Sequence, residues 1–125
     1  MTEPKIITSI KISKRIHQQV MQCVISQGYG MRGKNRWIVE AMDDFLKMPI
    51  TSYAEFTDHA CEMSDLNEVI TLRLSETLMN AVEKAVINVR HYYPSMEGVK
   101  SNIIRASIIQ RLLRKRLSVT ENEDN

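Results

Sequence analysis

Residues 9–27 read "SIKISKRIHQQVMQCVISQ" and residues 71–89 read "TLRLSETLMNAVEKAVINV". Laid over one another at an offset of 62 residues, Ile10, Lys11, Ile12 and Ser13 face Leu72, Arg73, Leu74 and Ser75. Beyond the serines, Ile16, Val20, Cys23 and Val24 face Leu78, Val82, Ala85 and Val86, the spacing of one helix face in both copies. The chain repeats itself. Upstream of each serine the period changes from 3.6 to two. In "ITSIKIS" Thr8, Ile10 and Ile12 share one side, with Ile7, Ser9 and Lys11 opposite; in "VITLRLS" Ile70, Leu72 and Leu74 oppose Val69, Thr71 and Arg73. Ser13 and Ser75 stand where a helix N-cap is wanted, since a hydroxyl there accepts from the first free backbone N–H groups. Each copy is therefore predicted to run from a short strand into a helix.

A second helix follows in each copy. "KNRWIVEAMDDFL" (34–46) sets Trp37, Ile38, Ala41, Met42, Phe45 and Leu46 on one face, and "KSNIIRASIIQRLL" (100–113) does the same with Ile103, Ile104, Ser107, Ile108 and Leu112. The offset has grown to 66 residues, which puts four additional residues in the second inter-helix turn, where Pro94 and Gly98 mark the break. The predicted organisation is a first repeat over 1–47, an acidic connector over 48–66 with a short helix around Tyr53 to Cys61, a second repeat over 67–117, and a disordered acidic tail over 118–125.

Composition narrows the class. With 125 residues, 43% of them hydrophobic, the chain holds one ordinary domain or two small halves sharing a core. The N-terminus "MTEPKIITSIK" lacks the layout of a signal peptide, and no apolar run approaches a membrane span, so a cytoplasmic protein without membrane attachment is expected. The net charge of +2 conceals a segregation: residues 1–47 carry eight Lys/Arg against four Asp/Glu, and residues 67–117 carry nine against four. Residues 48–66 carry four acids and no base, and the tail carries three acids. Two basic blocks flanking an acidic connector attract polyanions, of which nucleic acid is the commonest in the cytosol.

Enzymatic chemistry finds little support. "GYGMRGKN" (28–35) places Gly28, Gly33 and Lys34 as a phosphate-binding P-loop would, but Asn35 stands where that loop needs a hydroxyl, and the stretch follows a helix instead of a strand. Cys23 and Cys61 have no metal-binding spacing, and "HAC" (59–61) reads as an imidazole and a thiol without a ligand. His17 and His91 read as isolated, and no triad or carboxylate pair is present. Neither a cofactor nor a metal is expected.

Strand, helix, helix in some 45 residues, with an alternating apolar and basic strand and a second helix opening on Lys-Asn or Lys-Ser, resembles the ribbon-helix-helix family of Arc and MetJ. Two copies in one chain are similar to tandem members among conjugation proteins, such as the TraY-type relaxosome accessory factors. The resemblance covers roughly residues 5–47 and 67–116. It implies a mainly α fold with a short β-ribbon, in which two tandem ribbon-helix-helix repeats form an intramolecular pseudo-dimer. It further implies sequence-specific binding of double-stranded DNA, with the ribbon in the major groove. Carried over by position, the base-contacting residues are Ser9, Lys11, Thr71 and Arg73, and Ile7 and Val69 fill the remaining outward positions with apolar groups. Helix N-termini bind phosphate, which makes Lys34, Asn35, Lys100 and Ser101 the expected clamps on the DNA backbone. Arg114, Lys115 and Arg116 read as residues that favour a helix C-terminus. By the same resemblance the chain acts as a monomer, in one copy or several side by side on DNA, with a relaxase or other transfer protein as partner. The output is that of a conjugative-transfer accessory factor or a transcriptional regulator. An antitoxin that binds DNA and a toxin is the alternative, although only eight residues follow the last predicted helix.

Overall fold

The computed structural model describes residues 5–60 and 65–123, with side chains from 5–58 and 65–114. Its elements are β1 (Lys5–Ile12), α1 (Lys14–Ser26), α2 (Lys34–Leu46), α3 (Ile50–Ala60), β2 (Glu68–Ser75), α4 (Glu76–Tyr92) and α5 (Val99–Glu123). The chain is thus mainly helical, with a single two-stranded sheet among the described residues. None of these helices is long and apolar enough to cross a membrane.

β1 and β2 pair antiparallel along their whole length, from Lys5 opposite Ser75 to Ile12 opposite Glu68. The alternation seen in the sequence decides which face is covered: Ile10, Ile12, Ile70, Leu72 and Leu74 are buried, whereas Ile7, Ser9, Lys11, Val69, Thr71 and Arg73 are exposed. An isolated two-stranded ribbon is marginal in water. This one is stabilised by laying its apolar face on Val20, Val24, Trp37, Ile38, Met42, Leu78, Val82, Ile104 and Ile108.

Both strands pass directly into helices through serine caps. The Ser13 hydroxyl accepts from the Ile16 amide at 3.1 Å, and the Ser75 hydroxyl from the Leu78 amide at 3.1 Å. α1 then stops at the turn containing Gly28 and Gly30, whose φ values of 81° and 80° lie in the left-handed region. Gly33 has another reason to be glycine, for a Cβ there would come within 2.5 Å of the Tyr29 carbonyl oxygen. The glycine that looked like part of a phosphate loop makes room for the protein's own backbone.

The acidic connector contributes to the interior. Tyr53, Ala54 and Thr57 of α3 are buried, and Tyr53 and Ala54 pack with Phe45, Ala85, Val89, Val99, Ile103 and Ala106 in a second apolar cluster. Tyr53 also accepts at its hydroxyl from the Asn88 side-chain amide at 3.2 Å. Cys61 and its contacts lie outside the described residues. α5 has α2, α3 and α4 against it, so every residue from Asn102 to Ile108 is buried. With no Gly or Pro after Gly98, the helix continues to Glu123, through residues 118–123 where the sequence suggested a disordered tail. Arg114 accordingly sits inside the helix, 3.5 Å from Asp44, and the side chains of Lys115 and Arg116 fall outside the described set.

Candidate nucleic-acid interface

Beyond the Lys5–Ser75 pair at its start, the outward face of the ribbon carries three cross-strand pairs, Ile7 with Arg73, Ser9 with Thr71 and Lys11 with Val69. Cationic, hydroxyl and β-branched apolar groups lie side by side on it, and no acid occupies any of the six positions. The four residues expected to contact bases are therefore brought onto one surface. Ser9 and Thr71 meet at its centre, Oγ to Oγ1, at 3.4 Å. Lys11 and Arg73 lie towards opposite ends, each across from an apolar residue.

The ribbon is held at both outer edges by helix side chains. Asn35, in the first turn of α2, donates its amide to the Arg73 carbonyl at 3.1 Å and accepts from the Arg73 backbone N–H at 2.8 Å. This two-point bond mimics the next strand of a sheet. On the other edge the Arg105 guanidinium donates to the Lys11 carbonyl at 2.9 Å and to the Asn102 side-chain oxygen. Asn102 in turn donates to the Glu97 carbonyl at 3.2 Å, tying the ribbon to the turn ahead of α5. Arg73 and Lys11 are thus each fixed through their own backbone, and their side chains remain outward.

Lys34 does not stand free at the start of α2. Its ammonium lies 3.2 Å from Nε2 of His17, whose Nδ1 lies 2.8 Å from a Glu68 carboxylate oxygen. An ammonium has only protons to donate, so Nε2 accepts from Lys34 and Nδ1–H donates to Glu68. A cation at a helix N-terminus opposes the dipole. Glu68 supplies the compensating negative charge through the imidazole. His17, read from the sequence as isolated, is a three-element junction of α1, α2 and β2.

The first amides of α2, those of Lys34, Asn35 and Arg36, precede its first intrahelical bond, from Trp37 N–H to the Gly33 carbonyl at 2.9 Å. They open beside the β2 edge of the ribbon, where Asn35 touches it. On α5, Lys100 is exposed and Ser101 half-buried, but the contact with the ribbon comes one turn later, from Arg105. Neither α2 nor α5 has an acid in its first turn.

Behind this face a network centred on Tyr29 fixes the α1–α2 turn. Tyr29 donates its hydroxyl hydrogen to Glu40, and Arg111 donates to the same hydroxyl oxygen at 2.8 Å and to the Trp37 carbonyl at 2.6 Å. The Arg36 guanidinium lies over the Tyr29 ring at 4.7 Å, and that of Arg111 over Trp37 at 4.6 Å. The Tyr29 hydrogen bond, followed by Arg36 and Arg111, holds the Glu40 carboxyl below its ordinary value of 4.5 against the opposing effect of burial.

Comparison with protein-family models, characterised proteins and solved structures found no match to this chain.

Proposed function

We propose that this chain is a sequence-specific double-stranded DNA-binding protein whose two β-α-α halves act as an intramolecular ribbon-helix-helix pseudo-dimer. The observation that carries the reading is the outward face of the ribbon, which combines Lys11, Arg73, Ser9 and Thr71 with no acid on any outward position between them. A two-stranded ribbon is one of the few protein elements that fit the major groove. There Arg73 presents a fork suited to guanine O6 and N7, Lys11 a point charge, and the central hydroxyls bond to either donor or acceptor edges. The first-turn amides of α2 with Lys34, and the start of α5 with Lys100 and Ser101, grip the flanking phosphates. Asn35 serves this interface chiefly by holding β2 in place, which leaves one of its two amide hydrogens outside the bonds to Arg73. No catalytic step is part of the proposal. The output we favour is an accessory role in conjugative transfer or regulation of a mobile element, because two unlike strands suit a directional DNA site.

Fluorescence anisotropy on a duplex selected from random DNA, repeated across salt concentrations, tests the reading. Lys11→Ala or Arg73→Ala is expected to cost about 1–3 kcal/mol on the selected duplex and less on random DNA. Lys34→Ala or Lys100→Ala is expected to weaken both alike and lower the salt slope by about one. Full discrimination retained by Arg73→Ala, or no salt-dependent binding to any duplex, would defeat it.

A further inference from the structure

We propose that each end of the ribbon reads a thymine 5-methyl next to a guanine, through an apolar and a cationic residue paired across the strands: Ile7 with Arg73, and Val69 with Lys11. This rests on the DNA-binding reading above and adds what the groove must display.

Ile7 and Val69 are each 63% exposed, at equivalent places in the two strands, on a face otherwise occupied by polar and cationic groups. Single exposed apolar residues are common on protein surfaces. These two are distinguished by the register. Asn35 takes both backbone groups of Arg73, and Arg105 takes the Lys11 carbonyl, so those groups point away from the opposite strand. Both pairs are consequently the non-hydrogen-bonded kind, in which side chains stand closest, with Cα atoms about 4.5 Å apart. Isoleucine with arginine and valine with lysine therefore form compact composite surfaces.

In the major groove, guanine offers two acceptors to a cation and thymine offers a methyl group to an apolar side chain, and both lie on the base edges a ribbon faces. Side chains paired across strands stand roughly 4.5–5.5 Å apart at Cβ, and successive base pairs lie about 3.4 Å apart, so the flexible ends of one pair reach adjacent base pairs. Each composite pair is matched to two neighbouring base pairs. Since the strands run antiparallel, the cation lies on β2 at one end and on β1 at the other. The target is then two thymine and guanine steps in inverted orientation, flanking base pairs faced by Ser9 and Thr71. The occupant is nucleic acid by charge as well: Lys5, Lys11 and Arg73 are exposed along these strands, and the carboxylate of Glu68 is engaged by His17. The arginine end discriminates more strictly than the lysine end, because a fork fixes two acceptors where an ammonium fixes one.

Replacing single thymines of the selected duplex by deoxyuridine removes the methyl group and keeps the base pair. Anisotropy titrations of the unaltered protein are expected to show about a fourfold loss of affinity at one thymine in each half-site and little change elsewhere, as for one buried methyl. Ile7→Ala should abolish the loss at one of these positions while the other persists, and Val69→Ala should do the reverse. Specific binding with uniform tolerance of deoxyuridine would overturn the proposal and leave the DNA-binding reading standing. Losses that neither alanine variant alters would also overturn it. Failure to bind any duplex would remove both.

Discussion

Replacing Asn35 by alanine separates two roles that one residue could have. The side chain makes two bonds to the backbone of Arg73, at 2.8 and 3.1 Å, on an edge open to solvent. A net hydrogen bond contributes about 0.5–1.5 kcal/mol, and water can replace part of what is lost at an exposed edge, so about 1–2 kcal/mol in total is the expected cost. For a chain of this length that corresponds to a fall in Tm of roughly 4–8 °C. Urea denaturation should show a lower midpoint at an unchanged slope, since the surface exposed on unfolding is the same. Asn35→Asp refines the test. Its carboxylate still accepts from the Arg73 N–H but sets a second oxygen against the Arg73 carbonyl, while a negative charge at the start of α2 gains about 0.3–1 kcal/mol from the dipole. Its stability should fall between those of the parent and Asn35→Ala, and its DNA affinity below both, because the added charge faces the phosphates. An Asn35→Ala protein with unchanged stability and sharply reduced DNA binding would refute the reasoning and make Asn35 a direct phosphate ligand.

Because β1 finds its partner within the same chain, the urea midpoint should not change over a hundredfold range of protein concentration; a midpoint that rises with concentration would show that the strands pair between chains. Glu40 is depressed in the folded protein relative to 4.5, so its contribution is fully present above that value and is lost as pH falls through the lower, folded value. Glu40→Gln should therefore unfold with a shallower dependence on pH in acid than the parent does. At neutral pH it should cost under about 1 kcal/mol, because the half-exposed carboxylate is screened by solvent.

The parts of this molecule that follow from periodicity were legible in advance. Alternation in "SIKIS" and "TLRLS" fixed which strand residues face out, and helical spacing named Val20, Trp37, Ile38, Val82, Ile104 and Ile108 as core. Ser13 and Ser75 could be assigned as caps because capping is a local bond to an amide three residues on. What escaped depends on contacts distant in sequence. Nothing near His17 announces Glu68, and nothing near Asn35 announces the Arg73 backbone that the register sets against it. Nothing local marks Arg105 and Asn102 either, which are buried because α5 lies among the other four helices and β1. The buried face of Tyr53, Ala54 and Thr57 is too narrow to stand out in a stretch that also carries Glu55 and Asp58.

The pairing of β1 with β2 has a consequence for synthesis. A ribosome makes β1 first and must then extend the chain from Ile12 to Glu68 before the opposite strand begins, a delay of roughly 3–11 s at ordinary elongation rates. Throughout that interval the buried face of the finished ribbon, Ile10 and Ile12, belongs to a nascent strand with no partner of its own. Neighbouring ribosomes on one message would hold several such strands close together, each able to accept β2 from another chain. Exchange of strands between nascent chains is then the characteristic error open to this fold, and the acidic stretch between the halves, by mutual repulsion, works against it.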